Sequence, residues 1–450
     1  MVKCNNMNIN KFKQNSCDTL KQFFFKKNDG VYYLSHASIV VSLNGKKYLF
    51  DPVLAKPPHL GSYLFYPEMK ADACLLDVDG VFISHQHQDH FDIDFLKLLP
   101  KEAKIYIVSG RPQFSKMLEE QTLSFNEIPE NKIFDLGSGV TCLGITHEYN
   151  GIDSAITISN GEFTVYHGND CYVSNEKLKI VKDLYPKIDV ACVPFAYIHW
   201  YLFLLDEVED EWKNKEASRL IGKYMDYGLT QIEFIKPEVV IPFGANMFYF
   251  DDVASEHNLA VVSPFDFKNY AIEKNFVYRD SILSLFAGDF IFSMERDSDR
   301  HLEVHTNNLS RAELMSGLKE YIEFMHRNGT GFDSESIEKI NLDDIRDPSF
   351  ITERLSNADI ALKHNIFVSN VAHPEIGLVA IDLESRAVSK VSEIDRNVPY
   401  HWFKLSDLAY KAYFSQQFSF NEIVASSRFR LSRIPNNYDL DVLRIVNNIL

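Results

Sequence analysis

Short apolar runs, separated by turn residues, dominate the first half of the chain. Two pairs of these runs enclose the dipeptides Asn44-Gly45 and Asn160-Gly161, which favour the positive φ angles of a tight β-hairpin. The other runs are short enough to be buried strands. The predicted strands cover residues 31–43, 46–50, 81–83, 104–108, 155–159, 162–166, 188–194 and 239–243.

Longer stretches that mix polar and apolar positions separate some of these strands. The clearest, residues 206–235, has the length and pattern of a helix. Strands, hairpins and helices in this order indicate an α/β protein with two sheets and helices outside them.

The pattern changes near residue 300. Ser310 and Glu313 have the spacing of a capping box, which predicts a helix that ends before Gly329. Strand candidates at 366–369 and 377–383 follow, and helix candidates come after them. We therefore expect an N-terminal extension at 1–29, a main domain at 30–300 and a small C-terminal α+β unit at 301–450.

Composition narrows the possible partners. The 450 residues are 46% hydrophobic and 24% charged, as in soluble globular proteins. A net charge of −17 argues against nucleic acid, because lysine and arginine dominate phosphate binding. The six cysteines form no CxxC pair, and no stretch has the length of a secretory signal or membrane helix. We expect a cytoplasmic protein that acts on a small molecule, with neither a nucleic acid nor a membrane as partner.

The segment VFISHQHQDHFD carries the candidate chemistry. His85, His87, Asp89 and His90 follow the predicted strand at 81–83. In an extended chain His85 and His87 share a side, whereas Asp89 and His90 lie past the turn and face a second position. A polar loop with ordinary surface histidines is the alternative, but so dense a run favours a metal site. The loop thus predicts half of a binuclear centre.

Further ligands should come from the ends of other strands. His147 follows an apolar run, and Asp170 closes the second hairpin. Each alone would be read as an ordinary loop residue, but beside the histidine loop each becomes a candidate ligand. Asn169 competes with Asp170, yet only a carboxylate can bridge two cations and offset their charge.

These motifs resemble the metallo-β-lactamase superfamily. The resemblance can be narrowed to the branch that contains the CMP-N-acetylneuraminate hydroxylases, through His36 in YLSHASIVV, Asp51-Pro52, the histidine loop, Asp170-Cys171 and the segment PEVVIPFGANMFY. It covers residues 30–450 in patches, and it implies an αββα sandwich. The Rieske domain of those hydroxylases is absent, since no Cys-x-His with a matching Cys-x-x-His occurs in the sequence.

The resemblance also implies roles for particular side chains. Asp51 would support the histidine loop by hydrogen bonds, and His36 would either do the same or be a buried strand histidine. Asp170 would bridge or approach both metals. The implied metal ligands are His85, His87 and His147 for one ion and Asp89 and His90 for the other, with Asp170 shared between them.

One expected ligand is missing from the sequence. Hydrolytic members of the superfamily end their last strand with a histidine, where this chain has Ile241-Pro-Phe-Gly244-Ala-Asn246. Either water fills that position, or His199, Asn246 or His257 reaches in from a neighbouring loop. His257 could equally be a surface residue, and His199 could line a substrate pocket.

Two chemistries fit these residues. The favoured one is a non-haem di-iron oxygenase, because mixed imidazole and carboxylate ligation suits oxygen activation. Its electrons would come from an external donor protein or from the substrate. The alternative is a binuclear zinc hydrolase of phosphodiesters, esters or amides, in which Asp89 or Asp170 orients the attacking water. Both use two metal ions, iron or zinc, and a small polar or anionic substrate. A non-catalytic metal-binding module is a third class, without positive support in the sequence.

Overall fold

The protein is seen here as a computed structural model. It describes residues 18–450 apart from residues 70–71, 148–152, 198–200, 207, 251–254, 297–298, 330–331, 333, 346–347, 357–361, 437–438 and 449.

Strands make up most of the described fold. They are β1 Gly30–Ser35, β2 Ser38–Leu43, β3 Lys46–Phe50, β4 Tyr63–Phe65, β5 Gly80–Phe82, β6 Lys104–Val108, β7 Phe125–Ile128, β8 Ile133–Gly137, β9 Val140–Thr146, β10 Ser154–Ser159, β11 Thr164–His167, β12 Val190–Pro194, β13 Val239–Phe243, β14 Met247–Tyr249, β15 Phe290–Arg296, β16 Asp299–His305, β17 Asn365–Asn370, β18 Leu378–Asp382, β19 Ala387–Val391, β20 Tyr400–Leu405 and β21 Phe429–Ile434.

Residues 18–25 are helical, and twelve further α-helices follow along the described chain. They are α1 Ile93–Leu96, α2 Pro112–Glu120, α3 Asn175–Leu184, α4 Tyr201–Leu204, α5 Asp210–Ile235, α6 Pro264–Glu273, α7 Arg311–Asn328, α8 Glu335–Glu338, α9 Ser349–Ser356, α10 Asp407–Phe414, α11 Phe420–Ala425 and α12 Leu440–Asn448. Within the described residues, none of the helices is both long and apolar enough to cross a membrane.

Two sheets face each other across the main core. One has the strand order β16-β15-β1-β2-β3-β5-β6-β7, and the other has the order β13-β12-β11-β10-β9-β8. Side chains from both sheets, among them Phe50 and Ile156, form one buried cluster. Residues 18–25, α1 and α2 cover the outside of the first sheet, whereas α3, α5 and α6 cover the outside of the second. The predicted αββα sandwich is confirmed.

These strands are buried on both faces of their sheets, which explains why they appear in the sequence as apolar runs. All six residues of β1, β2 and β10 are buried, so these strands show a continuous run instead of alternation. The turn after β2 is the predicted two-residue hairpin, with φ angles of 50° at Asn44 and 75° at Gly45. The second hairpin has a longer loop, residues 160–163, in which the Asn160 side chain accepts the Phe163 N–H at 2.8 Å.

A third sheet, with the order β19-β18-β17-β20-β21, lies between residues 365 and 434, and with the helices packed on it we call it the C-terminal unit. The predicted boundary at residue 300 falls inside β16, which pairs with β15 along its whole length. The helix α7 packs with Leu64 and Phe248 of the main domain. The main domain therefore continues through α7. The core of the C-terminal unit also takes in Leu60, Leu204 and Leu205, so the two units share buried apolar surface.

Candidate metal centre

The histidine loop leaves the carboxyl end of β5, an interior strand of the first sheet. The His90 N–H donates to the His87 carbonyl at 2.9 Å, which turns the chain between the two halves of the motif. Asp92 then ends the loop, because its carboxylate caps α1 through the Phe95 N–H at 3.1 Å. The loop is therefore fixed at both ends, and its two halves face different positions.

One group of candidate ligands combines His85, His87 and Asp170, whose ligand atoms all lie within 4.8 Å of one another. His85 Nε2 and His87 Nδ1 are 2.9 Å apart, and His85 Nδ1 is 3.9 Å from Asp170 Oδ1. Asp170 follows β11 of the second sheet, so both sheets contribute to this group.

The second group combines His36, Asp89 and His90, again with ligand atoms within 4.8 Å. Asp89 Oδ2 lies 3.5 Å from His36 Nε2 and 3.7 Å from His90 Nε2. His90 Nε2 is also 3.6 Å from Asp170 Oδ2. The two oxygens of Asp170 thus face different groups, which is the placement that a bridging carboxylate requires.

Burial keeps the first two histidines available as neutral ligands. It lowers the pKa of His85 well below the usual value, and the neighbouring His90 and His87 add to this effect. Burial also lowers the pKa of His87, against the opposing charges of Asp153 and Asp89. Neutral imidazole is the form that binds a metal.

The second group carries charge instead. Burial acts to lower the pKa of His90, but Asp170, Asp89 and the hydrogen bond to Asp51 outweigh it and raise that pKa to about 10. Burial acts to raise the pKa of Asp89, but His90 and the hydrogen bonds of His36 and His59 hold it well below its usual value. At neutral pH Asp89 is therefore ionised and His90 protonated.

The pKa of Asp170 is shifted in the opposite direction to that of Asp89. Burial of its carboxyl raises its pKa to about 8; the charge of His90 opposes this, and Asp153 and Asp89 reinforce it. The nearby carboxylates disfavour a further negative charge on Asp170. A bound cation would offset this repulsion.

The residues present fit two metal ions. Each group offers two imidazoles and one carboxylate, a donor set typical of zinc and non-haem iron. Within the described part of the chain, His90 Nε2 and Asp170 Oδ1 are buried and have no hydrogen-bond partner. Buried polar atoms are normally satisfied, so these two atoms point to a ligand between the two groups.

Asp51 lies beneath the histidine loop and is itself buried. Its carboxylate accepts the Ser84 N–H at 2.7 Å and the Ser84 hydroxyl at 2.6 Å, and it lies 3.0 Å from His90 Nδ1. This contact leaves Nε2 of His90 to face the centre. His36 is oriented in a similar way, with Nδ1 3.1 Å from the Ala245 carbonyl oxygen and Nε2 toward Asp89.

The structure does not bring the predicted ligand His147 into either group. Its ring packs against Tyr172, with ring centroids 6.0 Å apart, and its backbone N–H donates to the Asp153 carbonyl at 2.8 Å. Asn169 acts on the backbone beside the site, since its side chain donates to the Ser154 carbonyl at 2.9 Å and accepts the Asp170 N–H.

The three residues proposed to replace the missing histidine are Asn246, His257 and His199. The Asn246 side chain donates to the Tyr33 hydroxyl at 3.0 Å. His257 is buried, not on the surface, with its ring 4.6 Å from the ring of Tyr249. His199 lies outside the described residues. His36, which the sequence suggested only as a support, is the histidine that joins Asp89 and His90.

Sequence reasoning missed two residues beside the centre. His59 Nε2 lies 3.1 Å from Asp89 Oδ1, and Asp153 Oδ1 lies 3.6 Å from His85 Nε2. Asp153 precedes β10 at the sheet edge where β9 ends at Thr146, next to His147, so strand ends on that edge were the available signal. His59 follows two prolines and belongs to no recognisable motif.

Comparisons with known proteins agree with this geometry. Residues 30–203 match the family model of the beta-lactamase superfamily domain. A UPF0173 metal-dependent hydrolase from Nanoarchaeum equitans is 22% identical over 255 residues, which is 54% of this chain and 92% of that protein. A protein from Mycobacterium tuberculosis that is named as a Rieske 2Fe-2S iron–sulfur protein is 23% identical over 209 residues, 43% of this chain and 40% of that protein.

Among solved structures, CmlA, a diiron β-hydroxylase from Streptomyces venezuelae, is 16% identical. The match covers 55% of this chain and 52% of that one with a TM-score of 0.39, and a likeness of this size supports no conclusion about function. The family match contains both ligand groups. Residues 30–203 of this chain resemble the beta-lactamase superfamily domain.

Proposed function

We propose that this protein is a binuclear metal-dependent hydrolase of small polar or anionic substrates. The observation that carries the proposal is Asp170, whose two carboxylate oxygens face two separate groups of imidazole and carboxylate ligands. A relative named as a metal-dependent hydrolase aligns over 92% of its own length, which favours hydrolysis over the oxygenase that the sequence motifs favoured.

Six side chains would hold the ions. When bound, the metals would supply a water acidified to near neutral pH and positive charge for a developing oxyanion. The protein's own part is to fix the ligands and to place carboxylates where a proton is released. The proposed ligands are His85, His87 and Asp170 for one ion and His36, Asp89 and His90 for the other, with Asp170 between them.

Asp170 is suited to orient the attacking water. Its side chain is 40% exposed, so it is the ligand through which solvent and substrate reach the buried histidines.

Three tyrosines pack together beside the partly exposed Asp170 side chain. Tyr172 packs against Tyr224 and Tyr227 of α5, with ring centroids 5.1 and 4.5 Å apart. Burial raises the pKa of Tyr172 well above its usual value, so its hydroxyl stays neutral. These rings would exclude water and contact the uncharged part of a substrate.

A non-haem di-iron oxygenase is the second candidate. It is favoured by the composition of the ligand groups, because two histidines and one carboxylate with open positions also suit iron and oxygen. The relative from Mycobacterium tuberculosis carries a name from iron–sulfur redox chemistry, which would match the need for an external electron donor.

Metal analysis followed by two assays tests the proposal. Protein purified without added metal is analysed for iron and zinc, stripped, and reloaded with either ion. We expect about two zinc ions per chain and hydrolysis within a panel of phosphodiesters, esters and amides. His85→Ala should remove both metal and activity, whereas Arg444→Ala, at an exposed side chain on α12, should change neither. About two irons, oxygen uptake and no hydrolysis would refute the hydrolase and support the oxygenase.

A further inference from the structure

The histidine loop is tied to the C-terminal unit through the one residue that separates its two halves. Gln88 lies between His87 and Asp89, and its side-chain N–H donates to Glu422 Oε1 at 2.7 Å. Its side-chain oxygen accepts the His59 N–H at 2.6 Å. Gln88 therefore connects helix α11 with the segment that carries His59.

Glu422 is held rigidly for this task. It is the third residue of α11 and completes a capping box, in which its Oε2 accepts the Ser419 N–H at 2.7 Å and the Ser419 hydroxyl at 2.8 Å. The other oxygen is left for Gln88. Because the capping box fixes the Glu422 carboxylate, Gln88 has a hydrogen-bond partner in a defined position.

The C-terminal unit also holds the segment that carries His59 in place. The neighbouring Leu60 is buried in the core of the C-terminal unit, and its carbonyl accepts a hydrogen bond from Arg428 at 3.0 Å. Both His59 and Leu60 have left-handed backbone conformations, with φ angles of 51° and 58°. Such conformations persist only where the surroundings enforce them.

The His59 ring then reaches the metal centre. It is 3% exposed, and its Nε2 lies 3.1 Å from Asp89 Oδ1. The other oxygen of Asp89, Oδ2, faces His36 and His90. His59 thus fixes one oxygen of the carboxylate and leaves the other for a ligand, the arrangement that orients metal-binding side chains in many proteins.

We propose that the C-terminal unit is part of the metal centre, because it positions Asp89 through Glu422, Gln88 and His59. The inference rests on the proposed metal site and assigns these three residues as positioning residues, not as ligands. It adds a role for a unit that lies beyond the residues of the family match. Loss of the connection should weaken the ion bound by Asp89 and spare the ion bound by His85 and His87.

Glu422→Gln is the informative variant. Glutamine can still complete the capping box through its oxygen, so α11 should fold. Its amide then faces the amide N–H of Gln88, and a flip of Gln88 to restore that contact would place a donor against the His59 N–H. Glu313→Gln is the matched control, since Glu313 and Ser310 form the same capping box on α7.

The measurement is metal affinity by chelator competition, together with the absorption spectrum of the cobalt-loaded protein. For Glu422→Gln we expect one of the two ions to bind about 10- to 100-fold more weakly, with a changed cobalt spectrum and an apo-protein that unfolds at the wild-type temperature. Gln88→Met, of similar size, should give the same loss, and the double variant should add nothing further. Glu313→Gln should bind both ions like the wild type.

Wild-type affinity and spectrum in both Glu422→Gln and Gln88→Met would overturn the inference, as would an equal loss in Glu313→Gln. The readout is metal binding and not turnover. A metal-loaded wild type that hydrolyses nothing would therefore refute the hydrolase while the affinity pattern still supports the inference. A wild type that binds no metal would overturn both.

Discussion

Metal binding should weaken steeply as the pH falls, because two side chains of the centre hold protons that a metal must displace. His90 has a pKa raised to about 10, and Asp170 has one raised to about 8. The pKa of His85 and of Asp89 lies well below the usual value of each, so at neutral pH neither holds a proton. His90 and Asp170 thus hold protons at neutral pH that the metal must displace.

The size of the effect follows from these values. At pH 7 about one His90 in a thousand is unprotonated, which lowers the metal affinity by about 4 kcal/mol. Roughly one Asp170 in ten is ionised. Because its side chain is 40% exposed, solvent screening reduces the contribution of Asp170. Each displaced proton changes the affinity tenfold per pH unit, so Kd should rise between about 10- and 100-fold from pH 7 to pH 6.

Competition with a chromophoric chelator of known proton affinity measures this dependence for zinc. The Asp170→Asn variant, which lacks one of the two titrating groups, should bind more weakly but with a slope of about tenfold per pH unit. Calorimetry in buffers of different ionisation enthalpy should show proton release on binding. A Kd that stays constant between pH 6 and pH 7 would refute the assignment of His90 and Asp170 as ligands.

Three further substitutions test the centre and the core. Asp51→Asn removes the charge beside His90 Nδ1 and should weaken metal binding about 10- to 100-fold; wild-type affinity in the chelator assay would contradict its role as a support. Gly144→Ala places a Cβ 2.5 Å from Val108 Cγ2, so it should lower the free energy of unfolding, measured in urea, by about 1–3 kcal/mol. An unchanged free energy of unfolding would contradict the close packing of the two sheets. Leu205→Ala should cost about 2–5 kcal/mol and leave one cooperative transition, since this buried residue joins the two units; two separate transitions would contradict the shared core.

The parts of the fold that the sequence predicted depend on local signals. Asn44-Gly45 specifies its hairpin because both residues tolerate positive φ, and the buried strands show up as apolar runs. The histidine loop is equally local, since its ligands lie within a few residues of one another. His36 was harder to assign, because its place in the second group depends on a distance to Asp89 that sequence spacing does not encode.

The boundary of the C-terminal unit could not be predicted from the sequence for the same reason. The change of pattern near residue 300 marks a real difference, but β16 completes the first sheet by pairing with a strand that precedes it. Leu60 and Leu205 read as ordinary apolar residues of the main domain, yet they belong to the C-terminal core. Contacts between distant segments decide such boundaries, and one sequence carries no direct record of them.

The backbone around the metal centre contains several residues with left-handed φ angles. Such angles cost L-amino acids about 1–2 kcal/mol each, less for asparagine, and five of these residues lie at or next to the two groups. These residues are His36 (41°), Asp51 (40°), His59 (51°), Asn169 (50°) and Asn246 (63°).

Four of the five follow or precede a strand end, where a single left-handed residue redirects the chain without breaking a sheet. The fold therefore holds local conformations that are unfavourable on their own, and the two sheets and the C-terminal unit supply the packing that stabilises them. Local propensity argues against these conformations, and of the five residues only His59, which belongs to no recognisable motif, was not suggested by the sequence. The C-terminal unit matters to the metal for this reason: its core takes in Leu60, the left-handed neighbour of His59, whose Nε2 lies 3.1 Å from Asp89 Oδ1.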